Sequence, residues 1–357
     1  MASSTSSGIA GRAAGGPANN EGPDAAPLPP RPLRGWQQAL RDAIRDAAEL
    51  CSLLELDAAQ LGLSAAAARD FPLLVPRGYA ARMRRGDPDD PLLRQVLPIR
   101  AECAVTPGFS ADPVGDAAAQ RAPGLLHKYA GRALLVTTGA CAVHCRYCFR
   151  RHFAYDELPT AGVAWEPALA EISADRSLEE VIFSGGDPLT ISDVRLSELA
   201  ARLATIDHLR RLRIHTRLPI VLPERVDDAL VAWLSGTRLT PIVVVHANHP
   251  AEIDADVAAA LARLAAAGAL LLNQAVLLAG VNDDVETLVE LSRRLIEARV
   301  FPYYLHQLDR VAGAGHFEVA IERGRELVEQ LRARLPGYLV PRYVQEFAGE
   351  PCKRPLS

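Results

Sequence analysis

Short apolar runs recur at nearly regular spacing through the middle of the chain. They lie at residues 133–136, 180–183, 212–214, 241–245, 269–272 and 300–305. After the first gap they begin roughly 30 residues apart, which is the length of one strand-plus-helix unit. Stretches with helical periodicity lie between them, at residues 192–206, 223–234, 251–267 and 284–298. This alternation predicts an α/β fold with a parallel sheet, either a barrel or a doubly wound sheet.

Polar and ionisable residues follow each apolar run at its C-terminal end. A group of cysteines follows the first run, and the later runs are followed by residues 184–187 (SGGD), 215–217 (HTR), 246–249 (HANH), 273–274 (NQ) and 306–309 (HQLD). In a parallel barrel the C-terminal ends of the strands meet at one face, where ligands bind. The six clusters therefore predict a single large site at that face.

The residues before the first run predict a helical extension and a tail. Residues 36–56 have the periodicity of one amphipathic helix, and the stretch to Arg100 is mostly helical with proline-rich joints. We therefore expect a helical N-terminal extension over residues 31–127, packed on the barrel. Residues 1–30 are rich in Ala, Gly, Ser, Asn and Pro, and they are predicted to form a disordered tail because few large apolar side chains are present to offset the cost of ordering.

Charge and hydropathy exclude several classes of protein. The 39 basic and 43 acidic residues give a net charge of -4, so the chain has no broad positive field for nucleic acid or an anionic membrane. The tail lacks the apolar core of a secretory signal. No later apolar run reaches the roughly 18 residues of a membrane span. We therefore expect a cytoplasmic protein that binds neither nucleic acid nor membrane.

Three of the six cysteines, Cys141, Cys145 and Cys148, follow directly after the first predicted strand. Such close spacing is typical of a metal site rather than of a disulfide framework. Three thiolates can bind three irons of a four-iron cluster and leave the fourth iron open to a small molecule. The alternatives are three unrelated buried thiols or a structural zinc ion, whose fourth ligand could be His144 or His152.

The CxxxCxxC spacing, with an aromatic residue before the last cysteine, resembles the signature of the radical S-adenosylmethionine superfamily. The SGGD sequence at residues 184–187 resembles that superfamily's Gly-Gly-Glu/Asp motif, which receives the methionine amino group. The resemblance implies a [4Fe–4S] cluster on the three cysteines and S-adenosylmethionine at Gly185, Gly186 and Asp187. It also implies a partial (β/α)6 radical S-adenosylmethionine barrel over residues 128–335, followed by a C-terminal segment at residues 336–357.

Longer stretches of the chain resemble the lysine 2,3-aminomutase family, and most of all its elongation factor P β-lysylation branch. They lie at residues 141–155, 183–189, 213–225, 273–283, 302–317 and 337–344. The resemblance implies an isomerase that converts L-lysine to β-lysine with S-adenosylmethionine and pyridoxal phosphate as cofactors. It further implies that (R)-β-lysine passes to a ligase that modifies elongation factor P, and that a flavodoxin or ferredoxin donates the electrons.

The resemblance also assigns roles to individual residues. Lys353 matches the lysine that carries pyridoxal phosphate, and Arg150 matches the arginine that pairs with the substrate carboxylate. Asp309 and Glu346 match the two carboxylates that bind the substrate ε-ammonium group, although lysine 2,3-aminomutases proper carry Asp in place of this Glu. The further cofactor-binding positions are Lys128, Tyr129 and Arg132, which precede or begin the first strand, and His246, Asn273 and Gln274, which lie at strand ends.

Other functions stay open on the sequence alone. The same chemistry could act on arginine or glutamate, although two carboxylates would repel an acidic side chain. A radical maturase that modifies a protein or RNA, and a zinc-binding interaction module, are two further classes, and neither needs pyridoxal phosphate. Because Cys352 is the last cysteine before Ser357, we expect no structural zinc of the C-terminal type in longer family members. The oligomeric state is left open.

Overall fold

A ten-stranded sheet forms the centre of the structure, a computed structural model that describes residues 35–155 and 165–357. Neighbouring strands follow one another in chain order: β1 (Gln120–Ala122), β2 (Leu125–Tyr129), β3 (Arg132–Thr138), β4 (Glu180–Gly185), β5 (Arg211–Thr216), β6 (Thr240–Val245), β7 (Leu270–Val276), β8 (Phe301–His306), β9 (Arg342–Gln345) and β10 (Arg354–Pro355). Strands β3 to β9 run parallel, and β1, β2 and β10 extend the two edges in antiparallel pairing. The predicted α/β fold with a partial barrel is confirmed.

Helices connect the parallel strands and cover the sheet. In chain order they are α1 (Trp36–Arg41), α2 (Ala47–Leu53), α3 (Ala65–Asp70), α4 (Arg77–Ala80), α5 (Pro91–Arg94), α6 (Glu166–Ala174), α7 (Asp193–Ala204), α8 (Leu218–Val221), α9 (Asp228–Gly236), α10 (Ala255–Ala266), α11 (Val285–Glu297) and α12 (Ile321–Arg334). At least one helix lies between each pair of consecutive strands from β3 to β9. Over residues 35–155 and 165–357, no helix has the length and apolar character that crossing a membrane requires.

The apolar pattern locates the central elements correctly. The six predicted strands correspond to β3–β8, and the four predicted helices correspond to α7, α9, α10 and α11, with ends shifted by a few residues. In β6, Val243, Val244 and Val245 are all buried, as expected for a parallel strand that is covered on both faces. At the start of α11, Asp284 Oδ1 accepts a hydrogen bond from Thr287 N at 2.9 Å, which satisfies one of the free donors of the first turn.

The single helix predicted over residues 36–56 is wrong. Helix α1 ends and α2 begins on either side of Ile44, which exchanges two backbone hydrogen bonds with Val75, at 2.8 and 2.9 Å. Asp46 Oδ1 accepts a hydrogen bond from Ala48 N at 3.1 Å. Local bonding of this kind competes with a continuous helix, so the segment divides into two short helices. The sheet itself begins at β1, before residue 127.

The predicted division of the chain at residues 31, 128 and 336 stays a prediction. The disordered tail predicted for residues 1–30 lies outside the described residues.

The last strand holds the C-terminal residues against the sheet. Arg354 of β10 pairs with Gln345 of β9 in antiparallel register. Continued by one position, this register places Lys353 opposite Glu346. The apolar pattern does not predict β9 or β10, because both are too short to show a period. Their pairing nevertheless brings Lys353 to the face where the parallel strands end.

Candidate active site

A cavity of about 420 Å³ lies at the C-terminal ends of the parallel strands. Strands β2, β3, β4, β5, β7 and β8 line it directly, and the segments that follow β3, β4, β5, β6, β8 and β9 complete it. The site residues predicted from sequence that line this cavity are Lys128, Tyr129, Arg132, Cys141, Cys145, Cys148, Arg150, Gly185, Gly186, Asp187, His246, Gln274, Asp309, Glu346 and Lys353. The structure therefore brings together all of the predicted residues except Asn273.

The three cysteines lie in the loop after β3 and line one side of the cavity. Burial raises the pKa of Cys141 well above its usual value and that of Cys148 to about 11, and nearby thiols add to both shifts. Because thiolates are the metal-binding form, a bound cation has to stabilise them. In the described ranges no group of three or more His, Cys, Asp or Glu side chains is placed to hold a metal ion, so the iron ligands stay a prediction.

The N-terminal extension holds the cysteine loop in place. His144 N donates to Leu74 O at 3.0 Å, and Arg146 N donates to Gln95 O at 2.8 Å. The fully buried guanidinium of Arg146 forms a two-point ion pair with Glu102, at 2.9 Å from Nε and 2.6 Å from Nη2. Sequence analysis did not identify Glu102, because its pairing with the distant Arg146 is visible only in the folded chain. These contacts fix the shape of the loop between the cysteines.

Strand β4 ends at Gly185, which lies against the end of β3, and the next residue, Gly186, lies against the start of the cysteine loop. A β-carbon at Gly186 would overlap Ala140 O, so a larger residue cannot fit. The neighbouring Asp187 is buried, and burial raises the pKa of its carboxyl to about 6 although its hydrogen-bond donors lower it. Those donors are Leu189 N, Thr216 Oγ1, Arg217 N and Leu218 N. Because they occupy both oxygens, the glycine backbone is the part of the motif left for a ligand amino group.

Charged side chains alternate in sign across the cavity, from Arg150 to Lys353. Asp116 accepts a hydrogen bond from Arg150 Nε at 2.6 Å and lies 2.6 Å from Lys128 Nζ. Lys128 Nζ also donates to Glu346 Oε1 at 2.9 Å, and Lys353 Nζ donates to the other oxygen of the same carboxylate. Burial would raise the pKa of Glu346, but the two ammonium groups lower it to about 2. Asp116 is a site residue that sequence analysis missed.

Lysine is rare in this chain. Lys128 and Lys353 are the two lysines among 39 basic residues, and their ammonium groups bind the same carboxylate. The other basic residues of this count are arginines. We therefore infer that lysine is present at the two positions where the chain needs an amine rather than a guanidinium. This scarcity is a sequence signal that points to both residues. Lys128 is predicted to bind a cofactor, and in this structure its Nζ contacts the carboxylates of Asp116 and Glu346.

A wall of aromatic rings lines the side of the cavity near β2 and β8. The Arg132 guanidinium lies 4.6 Å from the centre of the Tyr129 ring. The rings of Tyr303 and Tyr304 are 3.8 Å apart, and their hydroxyl groups share a hydrogen bond of 2.9 Å. Flat ring faces beside a guanidinium suit a planar, anionic ligand. Sequence analysis identified the first pair and missed the two later tyrosines.

The two predicted residues at the end of β7 have different surroundings. Gln274 lines the cavity, with its Nε2 2.8 Å from His246 Nε2. Asn273, predicted to bind a cofactor, does not line the cavity, and its side chain bonds instead to the backbone N and O of Ala247, at 2.8 and 3.0 Å. The physical reason is that successive side chains of a strand point to opposite faces. Asn273 therefore joins β7 to the segment after β6.

Several buried nitrogen atoms that line the cavity have no hydrogen-bond partner in the described part of the chain. They are Nε2 of His215, Nε2 of His306, Nε of Arg213 and Nε of Arg217. Burial lowers the pKa of both histidines well below the usual value, so both rings are neutral. Because buried polar atoms in folded proteins nearly always have a partner, these atoms fit a polar cofactor or substrate.

Among the carboxyl groups that line the cavity, Asp309 has the pKa closest to neutral. Burial raises its pKa to about 7, the charge of Glu346 adds to the shift, and Lys353 opposes it. A ligand ammonium group placed beside it would stabilise the ionised form. Asp309 and Glu346 are thus suited to bind a cation together.

Binding of an ammonium ligand, with L-lysine as the probe, is expected to strengthen as the pH rises through about 7, because Asp309 must lose its proton before it pairs with an ammonium group. Below that pH, each unit is expected to weaken binding by up to about tenfold. Calorimetric titration about one unit below and above this pH measures the effect, since the lysine ε-ammonium, with a pKa of about 10.4, stays charged throughout. The Asp309→Asn variant should bind L-lysine weakly, with little dependence on pH. Equal affinities of the wild-type protein at the two pH values would contradict the role of Asp309 in binding the ammonium group.

The proteins to which the chain is similar include three that are named L-lysine 2,3-aminomutase. The protein from Escherichia coli (strain K12) is 48% identical over 90% of this chain and 94% of its own length. The Haemophilus influenzae protein is 45% identical over 91% of this chain and 98% of its own length. The Clostridium subterminale protein is 34% identical over 90% of this chain and 77% of its own length.

Two other comparisons add little. No protein-family model matches the chain. A solved radical SAM methyltransferase from Sphaerobacter thermophilus covers 62% of this chain and 68% of its own, at 21% identity and a TM-score of 0.43, which is too weak a likeness to support an argument.

Proposed function

The chain belongs to the L-lysine 2,3-aminomutase family of isomerases, and on this premise we propose that it converts L-lysine to (R)-β-lysine. The proposed cofactors are a [4Fe–4S] cluster, S-adenosylmethionine and pyridoxal phosphate. The observation that carries the proposal is that Lys353 and the three motif cysteines line one cavity. A radical maturase has no need of such a lysine, and a zinc-binding module has no need of such a cavity.

The cavity offers groups that fit each cofactor. Cys141, Cys145 and Cys148 would hold three irons of the cluster, and the backbone at Gly186 would receive the amino group of S-adenosylmethionine. Lys353 would attach pyridoxal phosphate, beside the aromatic wall that includes Tyr129 and Arg132. When bound, the cluster with S-adenosylmethionine would supply radical chemistry that takes a hydrogen atom from the substrate, and pyridoxal phosphate would supply an aldehyde carbon to which the substrate nitrogen can be joined.

The chain's own residues orient the substrate from both ends. Arg150 would bind the α-carboxylate, because Asp116 and Ser184 Oγ, at 2.6 and 3.0 Å, fix its guanidinium and leave N–H groups free for a ligand. Asp309 and Glu346 would bind the ε-ammonium group at the other end. A buried charge needs an opposite partner, so this pair favours a cationic side chain and disfavours that of glutamate.

We further propose the destination of the product and the setting of the reaction. The sequence resemblance to the β-lysylation branch supports transfer of (R)-β-lysine to elongation factor P by a separate ligase. It also supports a flavodoxin or ferredoxin as electron donor. All six cysteines are free thiols, which suits a reducing compartment such as the cytoplasm.

Anaerobic turnover tests the proposed reaction. Reconstituted protein would receive S-adenosylmethionine, pyridoxal phosphate, dithionite and, in separate reactions, L-lysine, L-arginine or L-glutamate. Chiral chromatography would then identify the products, and we expect (R)-β-lysine from L-lysine with little product from the other two. Cleavage of S-adenosylmethionine without any β-amino acid would reject the aminomutase assignment and retain the radical chemistry. Reconstituted protein that binds no iron would reject both.

A further inference from the structure

The side chain of Arg217 connects the end of β5 to the cysteine loop. Its Nη1 lies 2.7 Å from Cys145 Sγ in hydrogen-bond geometry, and its backbone N donates to Asp187 Oδ2, also at 2.7 Å. The side chain is 5% exposed. Arg217 thus contacts both motifs from which the radical chemistry is inferred, although the sequence assigns it no role.

Buried partners hold this guanidinium in one orientation. Nη2 donates to Gln95 Oε1 and to Glu252 Oε1, both at 2.7 Å. The rings of Tyr79 and Tyr147 each lie 5.6 Å from Cζ. Glu252 is fully buried, so water and salt screen neither charge of the pair effectively. The positive charge and the hydrogen bond to sulfur are therefore fixed features of the site.

We propose that Arg217 raises the reduction potential of the cluster through its bond to Cys145, and that Glu252 is the counter-charge that limits the effect. The inference rests on the proposed function, because it requires the cluster. Reduction of [4Fe–4S]2+ to [4Fe–4S]+ adds one electron from an external low-potential donor, and no bond breaks and no proton moves. Hydrogen bonds and charge at the ligand sulfurs set such potentials. A guanidinium at Sγ stabilises the more negative, reduced form, so Arg217 is a positioning residue for electron transfer.

Two substitutions are expected to shift the potential in opposite directions. Arg217→Gln removes the cation and should lower it, whereas Glu252→Gln leaves the cation without its counter-charge and should raise it. The readout is a redox titration of the reconstituted protein, followed by the electron paramagnetic resonance signal of the reduced cluster. At a fixed potential we expect about a tenfold change in the ratio of reduced to oxidised cluster, which corresponds to 59 mV for a one-electron couple.

Arg225→Gln is the matched control. Arg225 is equally buried and bonds to Leu189 O and Asp193, but it does not line the cavity. We expect this variant to lose thermal stability while its cluster keeps the wild-type potential.

Iron content and the thermal midpoint separate these outcomes from misfolding. If Arg217→Gln does not retain its cluster, Glu252→Gln decides alone, since a raised potential supports the inference and an unchanged or lowered one overturns it. Equal shifts in the same direction for both variants would also overturn it. Wild-type protein that binds no iron would instead contradict the proposed function.

Discussion

Borohydride reduction of the protein loaded with pyridoxal phosphate is expected to fix one pyridoxyl group per chain, on Lys353. Among the described residues Lys353 Nζ donates to Glu346, whereas Lys128 Nζ contacts Asp116, Glu346 and Val114 O. Lys128 Nζ therefore has more acceptors around it than Lys353 Nζ, so Lys353 has fewer contacts to release before it reacts. Peptide mapping by mass spectrometry identifies the labelled residue easily, because the chain has two lysines.

Lys353→Ala is expected to lose the label and to lower β-lysine turnover by about 10⁴-fold or more, the scale seen when one member of a catalytic unit is removed. Lys128→Arg is the control. It keeps a cation between Asp116 and Glu346, so it should retain the label on Lys353 and a substantial part of the activity. Labelling at Lys128, or turnover by Lys353→Ala near the wild-type rate, would show that the cofactor lysine is assigned wrongly.

Arg150→Lys is expected to lower kcat/KM for L-lysine by about 10²- to 10³-fold, which corresponds to about 3–4 kcal/mol. The ammonium group cannot reproduce the fork that bonds Asp116 and Ser184 while presenting further N–H groups to a carboxylate. Because the carboxylate is bound in the ground state as well as in the transition state, most of the loss should appear in KM. Steady-state kinetics under anaerobic conditions measure both constants.

The neighbouring Arg151 provides the matched control for this experiment. Its side chain is as buried as that of Arg150, but it pairs with Glu102 and does not line the cavity. Arg151→Lys should reduce stability and leave KM close to the wild-type value. Equal increases in KM for the two variants would mean that Arg150 acts through the structure of the loop rather than by contact with the substrate.

The parts of the fold that were predicted from sequence are those with a local signal. Strands β3 to β8 are short apolar runs bounded by polar residues, and the cysteine spacing is readable without any knowledge of the fold. The rule that parallel strands end at one face then places distant clusters together, as Gln274 and His246 show. Strands β9 and β10 carry no such signal, so the position of Lys353 followed from family resemblance and not from a pattern.

The residues that sequence analysis missed depend on contacts between distant segments. Asp116 meets Arg150 across 34 positions, and Arg217 meets Cys145 across 72. Nothing within either segment shows that its partner lies there. The position of Asn273 outside the cavity has a different cause, since its side chain and that of Gln274 point to opposite faces of β7.

The contacts that pin the cysteine loop to the N-terminal extension bear on how the enzyme survives exposure to air. The hydrogen bond from His144 to Leu74 and the ion pair of Arg146 with Glu102 join protein to protein. They order the loop without help from a metal, so little further ordering is required when iron enters. We therefore expect the loop to keep its shape when oxygen removes the iron. A cluster rebuilt on the same folded chain would then restore the proposed enzyme.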